Sequence, residues 1–242
     1  MRVNEFSKDS ILKRYERNIH ALSVEDMHKL HVAKVCIVGC GGLGGYIAEI
    51  LARIGVLHIT IVDYDVFDES NLNRQLFSTE KVIGERKIDI AIDRIAAVNS
   101  QVKVHGVGEK LDEKNAAGIF AGHDVVVDAL DNLTSRMVLI DTCEMLKIPV
   151  VHGSIAGWTG QVACLMPGSG AAKKLFGNIG GKRTNPDRGI EKDLGNLPFT
   201  ASVVASIECA ECVKIIVDKN AIVDALIQID LFNGGYRLIP FA

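Results

Sequence analysis

The feature that most restricts this chain is a glycine-rich turn set between patterns of different period. Val35 to Val38 is a short apolar run, and Gly39-Cys40-Gly41-Gly42-Leu43-Gly44 follows it directly. Leu43, Ile47, Ile50, Leu51 and Ile54 then share one helix face, and a second apolar run, His58 to Val62, ends in Asp63. Short apolar runs read as buried strands, and apolar residues recurring every three or four as a helix face. Strand, turn, helix, strand is a βαβ unit. Parallel strands need a crossover, so the unit commits the chain to a parallel sheet with helices over it.

The alternation continues. A helix is expected from about Lys81 to Asn99, with Ile88, Ala91, Ile92 and Ile95 on one face, and a strand over Val102 to Val107. A short helix (Asp112 to Phe120), a buried strand (Asp124 to Asp128), a helix (Leu133 to Leu146) and strands at Pro149 to His152 and Gln161 to Leu165 follow. A strong helix runs from about Thr200 to Asp218, and Ala225 to Leu231 and Tyr236 to Pro240 flank Asn233-Gly234-Gly235 as a hairpin. The first thirty residues read as helical, with Leu12, Tyr15 and Ile19 on one face. The expected fold is α/β: a Rossmann-like, mostly parallel twisted sheet with helices on both faces and a C-terminal antiparallel extension. From Pro167 to Pro198 the chain is rich in Gly, Lys, Asn and Asp without a period, which predicts a long, mobile crossover loop. No linker divides the 242 residues, so one domain over 1–242 is expected.

A net charge of −3 gives no support to nucleic-acid binding. No apolar run approaches the roughly 20 residues that cross a bilayer, and the N-terminus lacks an apolar signal core. A cytoplasmic location without membrane contact is the expectation. Six cysteines, two of them flanking a buried strand, read as free thiols in a reducing compartment.

The glycine turn is also where chemistry enters. Glycines let backbone approach a phosphate, and the following helix N-terminus offers free N–H groups to it. Asp63 is placed to accept hydrogen bonds from ribose hydroxyls. These residues alone fit any nucleotide with a ribose, and on them an NAD-dependent oxidoreductase is the first guess. Arg74 and Lys87, both beyond the second strand, suit a triphosphate better than a dinucleotide; the alternative is that both are solvated surface charges. Asp131, in Asp128-Ala129-Leu130-Asp131-Asn132 at a strand end, is placed either to hold Mg²⁺ or to cap the next helix.

Arg14-Tyr15-x-Arg17, the Gly39 to Gly44 turn, Asp63-Tyr64-Asp65, Asn71-Leu72-x-Arg74-Gln75, Lys87 and Asp131-Asn132 occur in one order over nearly the whole chain. In this the sequence resembles the ThiF/MoeB/HesA family, bacterial relatives of ubiquitin-activating enzymes. The resemblance implies an ATP-dependent adenylyltransferase acting on the C-terminal glycine carboxylate of a small ubiquitin-like sulfur carrier, MoaD- or ThiS-like, for molybdopterin-type cofactor or thiamine synthesis. It implies that Gly39, Gly41, Gly42, Gly44 and Asp63 hold adenosine and ribose, with Asp65 and Asn132 beside them. Asn71, Arg74 and Lys87 would contact the phosphates, Gln75 would support that loop, and Asp131 would serve Mg²⁺ and the reacting centre. Arg14 would reach the γ-phosphate from a partner subunit, which implies a homodimer.

The chain departs from the family's pattern at its cysteines. Only one Cys-x-x-Cys pair, Cys209 and Cys212, is present, inside a helical stretch, so a four-thiolate structural zinc is not expected and helix packing is; a redox pair is the residual alternative. No cysteine lies between Cys164 and Cys209, so the crossover loop is expected to clamp a carrier's tail rather than attack it, with sulfur supplied by a separate sulfurtransferase. His152 reads as a structural histidine, Trp158 as a packing anchor or part of a tail groove, and Arg136 as a ligand contact or an ion pair. Besides the oxidoreductase, a non-catalytic nucleotide-binding scaffold stands as a competing reading, opposed by the intact cation set.

Overall fold

The computed structural model describes residues 13–177 and 191–241. Eight strands form one sheet in the order β3-β2-β1-β4-β5-β6-β7-β8. β1 (Lys34–Val38), β2 (His58–Val62), β3 (Lys103–Val107), β4 (Val125–Asp128) and β5 (Val150–Ala156) run parallel. β6 (Thr159–Leu165), β7 (Ala225–Asp230) and β8 (Gly235–Pro240) add an antiparallel extension.

Strand periodicity builds two cores. Val35 and Ile37 of β1 point to one face and Cys36 and Val38 to the other, as alternating side chains must. On the first face lie α1 (Val24–Val32), α2 (Gly44–Ile54), α3 (Lys87–Val98) and the long α8 (Pro198–Ile216). α4 (Ala116–Phe120), α5 (Leu133–Leu146) and α6 (Ala171–Phe176) cover the second. The chain leaves β1 toward β2 and β3, then returns to place β4 on β1's other side. Between β1 and β4 the order reverses, and open α/β sheets bind ligands outside the strand C-termini at such a point.

Several expected boundaries move, each for a local reason. The N-terminal segment is not one helix: a 3₁₀ turn, Lys13–Asn18, ends before His20, whose φ of 85° breaks the helical path. Ser23 then caps α1 through a reciprocal pair of bonds with Asp26. Tyr15 is buried as expected, whereas Leu12 lies outside the described residues. The helix expected from Lys81 begins at Lys87, because Gly84 at φ +87° and a bridge between Val66 and Arg86 hold the preceding segment in a turn. Within 167–198 the described part is not irregular, since it contains α6 and α7 (Glu191–Leu194); residues 178–190 lie outside the described residues. The last turn occupies Leu231 to Gly234, where the Asp230 carboxylate accepts from the Phe232 and Asn233 amides. Among the described residues no helix is long and apolar enough to cross a membrane.

Candidate active site

A cavity of about 600 Å³ opens at the C-terminal ends of β1, β2 and β4, beside the order reversal. Its floor is the glycine turn, and the glycines divide by purpose. A Cβ on Gly44 would stand 1.8 Å from the Gly39 carbonyl oxygen. Gly39 adopts φ +98°, and a Cβ there would stand 2.6 Å from the Ala129 carbonyl oxygen. These two are demanded by packing of the turn on itself and on the end of β4. Gly41 and Gly42 are not: built Cβ atoms there meet only the Gln75 and Arg74 side chains, at 3.5 and 3.7 Å. What they contribute is open space on the cavity wall.

Asp63 directly follows β2 and lines the cavity, with Oδ2 accepting from the Cys40 amide at 2.6 Å and Oδ1 from the Asp65 amide at 2.8 Å. Burial raises its pKa, while those amides and Lys87 act in the opposite sense. Each oxygen keeps capacity for a further donor such as a hydroxyl. Lys87, buried at the start of α3, is held by the Asp65 carboxylate at 3.2 Å and by its own amide on the Asp65 carbonyl. Arg74 lines the same cavity beside Gly42 and donates to the Ser70 carbonyl and Asn73 Oδ1. Arg74 and Lys87 therefore line the cavity that the glycine turn floors, together with Lys110 and Arg136.

Asn132, not Asp131, caps α5, through Oδ1 accepting from the Ser135 amide at 2.9 Å. Asp131 is thus released from capping, and its exposed side chain lines the cavity. Gln75 also lines it, with its buried Oε1 lacking a partner among the described residues. Asn71 does not line it: its side chain closes a capping box with Asp68 around the 3₁₀ turn Glu69–Asn71, so in this structure it braces the loop that carries Arg74. Arg14 lies outside the cavity, exposed, donating to Asn99, which is buried and anchored to Tyr15 and Ala52.

Behind the cavity is a buried polar group. Asp128 has no exposure and accepts from Arg136 Nε and His152 Nδ1, each at 2.7 Å, and from the Leu130 amide at 3.0 Å. Burial alone would raise its pKa, but Arg136 and His152 hold it below the ordinary carboxylate value. Burial pushes His152 down, so it is neutral, a structural histidine as expected. Arg136 pairs with the buried Asp128, so its ion pair is not the helix-surface one expected, and the side chain also lines the cavity. Glu208 of α8 is fully buried nearby with neither oxygen partnered among the described residues, and burial raises its pKa strongly. Sequence reasoning passed over Glu208; an acid inside Ser202-Val203-Val204-Ala205-Ser206-Ile207-Glu208-Cys209 was the available signal.

Ser154 of β5 and Asn196, from before α8, close the far wall, and both were missed because only tertiary structure brings them there. All six cysteines are buried and free, with burial raising their pKa values, to about 12 for Cys143 and Cys212. Cys209 and Cys212 pack in the α8 core. Trp158 stands outside the cavity, against Phe199 and Phe232.

Residues 15–241 match the model of the ThiF family. The chain is 34% identical over 233 residues to the SAMP-activating enzyme E1 of Haloferax volcanii, covering 95% of this chain and 85% of that one. It is 36% identical over 239 residues to the adenylyltransferase and sulfurtransferase MOCS3 of Culex quinquefasciatus, but spans only 53% of that protein's length. The molybdopterin-synthase adenylyltransferase of Salmonella typhimurium is 29% identical over 215 residues, 86% of this chain and 83% of its own. Among solved structures, E. coli MccB with ATP superposes with a TM-score of 0.78 at 21% identity, over 98% of this chain and 74% of MccB, a likeness of fold.

Proposed function

The chain belongs to the ThiF family, and on that premise we propose that it adenylates the C-terminal glycine carboxylate of a small ubiquitin-like sulfur carrier ending in Gly-Gly, MoaD- or ThiS-like, using ATP. The observation that carries this reading is the placement of Arg74 and Lys87 on the wall of the cavity that the glycine turn floors. A dinucleotide pyrophosphate does not call for both cations; a triphosphate losing pyrophosphate does.

A C-terminal carboxylate, with an ordinary pKa of about 3.5, is ionised at neutral pH and needs no general base. Its oxygen attacks the α-phosphorus, the bond from that phosphorus to the bridging oxygen breaks, and pyrophosphate leaves with the electron pair. No proton moves. The protein's tasks are alignment and neutralisation of charge on the leaving group. Asp63 receives the ribose hydroxyls. Gly41 and Gly42 admit the phosphates to the turn, and Arg74 and Lys87 meet the negative charge. Asp65 fixes the Lys87 ammonium, so its direction is set before substrate arrives.

Mg²⁺ fits the donor set, because Asp131 offers a carboxylate not used in capping, and this ion prefers one or two carboxylates completed by phosphate oxygens. When bound, the ion supplies charge neutralisation on those oxygens. Arg14, exposed and outside its own cavity, is available to a second subunit of a homodimer. With every thiol buried, sulfur delivery falls to a separate sulfurtransferase.

The test is ATP–pyrophosphate exchange with candidate Gly-Gly-tailed carriers. Exchange that requires the carrier and is lost in Arg74→Ala and Asp131→Ala supports the reading. Exchange undiminished in both variants would sink it.

A further inference from the structure

At the other end of the parallel strands, a second depression of about 240 Å³ is lined by Lys34, His58, Thr60, Lys103, His105 and His123 with two apolar residues. Pairing explains why these groups meet. Lys34 is the register partner of His58, and His58 of Lys103, so three basic residues stand in one row across β1, β2 and β3. Two residues on, Thr60 partners His105. Residues paired across strands, and those two apart along one, share a face. His123, just before β4, completes the wall: its Nε2 is 2.8 Å from Thr60 Oγ1 and its Nδ1 is 3.1 Å from the Phe120 carbonyl oxygen.

Among the described residues no carboxylate lines the depression. The adjacent Asp124 spends one oxygen on the Lys34 backbone amide at 2.8 Å. A row of two lysines and an imidazole, with two more imidazoles behind it, gathers donors around the place where an anion would sit. The groups present are all donors or can become so.

We propose that this depression binds a small multivalent oxyanion of the phosphate class, as inorganic phosphate or pyrophosphate, separately from the nucleotide cavity. His123 couples the site to pH. As the neutral ring it donates Nδ1–H to Phe120 and accepts the Thr60 hydroxyl at Nε2. Protonated, it donates to Thr60 instead and releases that hydroxyl hydrogen to the anion. Burial opposes this protonation, Lys34 and His105 oppose it further, and the Phe120 carbonyl and Asp124 favour it; His58 and Lys103 face the same space. A bound dianion tips the balance, so binding takes up protons.

The experiment follows the histidine ring resonances of the full chain by NMR while inorganic phosphate, pyrophosphate, AMP or chloride at matched ionic strength is added. Saturable shifts of His58, His105 and His123 with phosphate or pyrophosphate are expected, with binding roughly tenfold tighter near pH 6 than near pH 8. K103Q/H105Q, both at exposed positions, should weaken binding at least about tenfold while ATP binding persists, two neutralised contacts exceeding the weight of one charge-assisted bond. Unmoved resonances, equal shifts with chloride, or shifts with AMP but not the free anions would each overturn the proposal. So would full affinity in K103Q/H105Q.

Discussion

Replacing Glu208 with glutamine should stabilise the protein, and increasingly so as pH rises. The side chain has no exposure and neither oxygen has a hydrogen-bond partner among the described residues. A Cβ added to Gly153 would stand 2.2 Å from its carboxyl carbon, so the group lies flush against β5. Burial, and the Asp128 carboxylate, hold its pKa well above 4.5, with Arg136 pulling weakly the other way. The folded protein therefore keeps a proton that the unfolded chain releases above its ordinary value. A group raised on folding contributes stability below the unfolded pKa and loses it as pH climbs toward the folded one. That loss is about 1.4 kcal/mol per pH unit, so at most roughly 3.4 kcal/mol at pH 7. Glutamine keeps the shape and removes the ionisation, but its amide hydrogens need placing, which costs about 1 kcal/mol or more. The net expectation is a gain at pH 7 of at most about 2 kcal/mol, or up to roughly 4–8 °C in Tm for a chain of this size. Urea denaturation of both proteins from about pH 4 to pH 8 reads it directly, since the difference between the two should be small at the acid end and widen upward. A constant difference, or a glutamine variant weaker at pH 8, would mean that Glu208 is ionised and compensated, and the reasoning would be wrong.

Asp128→Asn should do the reverse, leaving the partly buried Arg136 guanidinium without its counter-charge at a cost of up to about 3–5 kcal/mol in thermal or urea unfolding. Because the Asp128 pKa is depressed below 3.8, the wild-type advantage is present above that value and is lost as pH falls from it through the folded pKa, which the same unfolding series extended into more acid solution tests. Gly44→Ala should fail to yield folded protein, as judged by circular dichroism and gel filtration, because its methyl would stand 1.8 Å from a backbone oxygen. Gly42→Ala, whose methyl meets only a side chain at 3.7 Å, should keep its Tm yet bind ATP more weakly by calorimetry. Thiol titration with a disulfide reagent should find none of the six cysteines reactive in the native protein and all six after denaturation.

The order of strands and helices was legible because each element carries its own period: Val35 to Val38 alternates between two cores, and the α2 stripe repeats along one face. Boundaries slipped where backbone conformation decides them. Gly84 and His20, both at positive φ, end helical paths that apolar spacing alone would extend. Within the site, what sequence order reveals is the part built by one local stretch, namely the glycine turn, Asp63, Arg74 and Lys87. Ser154, Asn196 and Glu208 arrive from β5, the segment before α8 and α8, with no spacing that relates them to Gly39. Asn71 shows the converse, for a residue three before Arg74 in sequence turns its side chain to cap the loop rather than line the cavity.

The two ends of the sheet owe their chemistry to one property of parallel strands. All five point the same way, so everything at their C-termini faces one space and everything at their N-termini faces another. At the first, the reversal between β1 and β4 parts the following segments and leaves a cavity, on whose floor Gly39 and Gly44 let the turn pack against itself and the end of β4. Arg74 comes from the stretch between β2 and α3 and Lys87 is the first residue of α3, so their distance to the turn depends on how β2 registers against β1. That register is set by Val35 opposite Ile59 and Ile37 opposite Ile61, an apolar contact on the first core face. A one-residue slip would put those side chains on the opposite face and carry Asp63 away from the Cys40 amide. The packing of β1 on β2 therefore aims the cations, and core substitutions there should reduce ATP affinity even where no substituted atom touches the cavity.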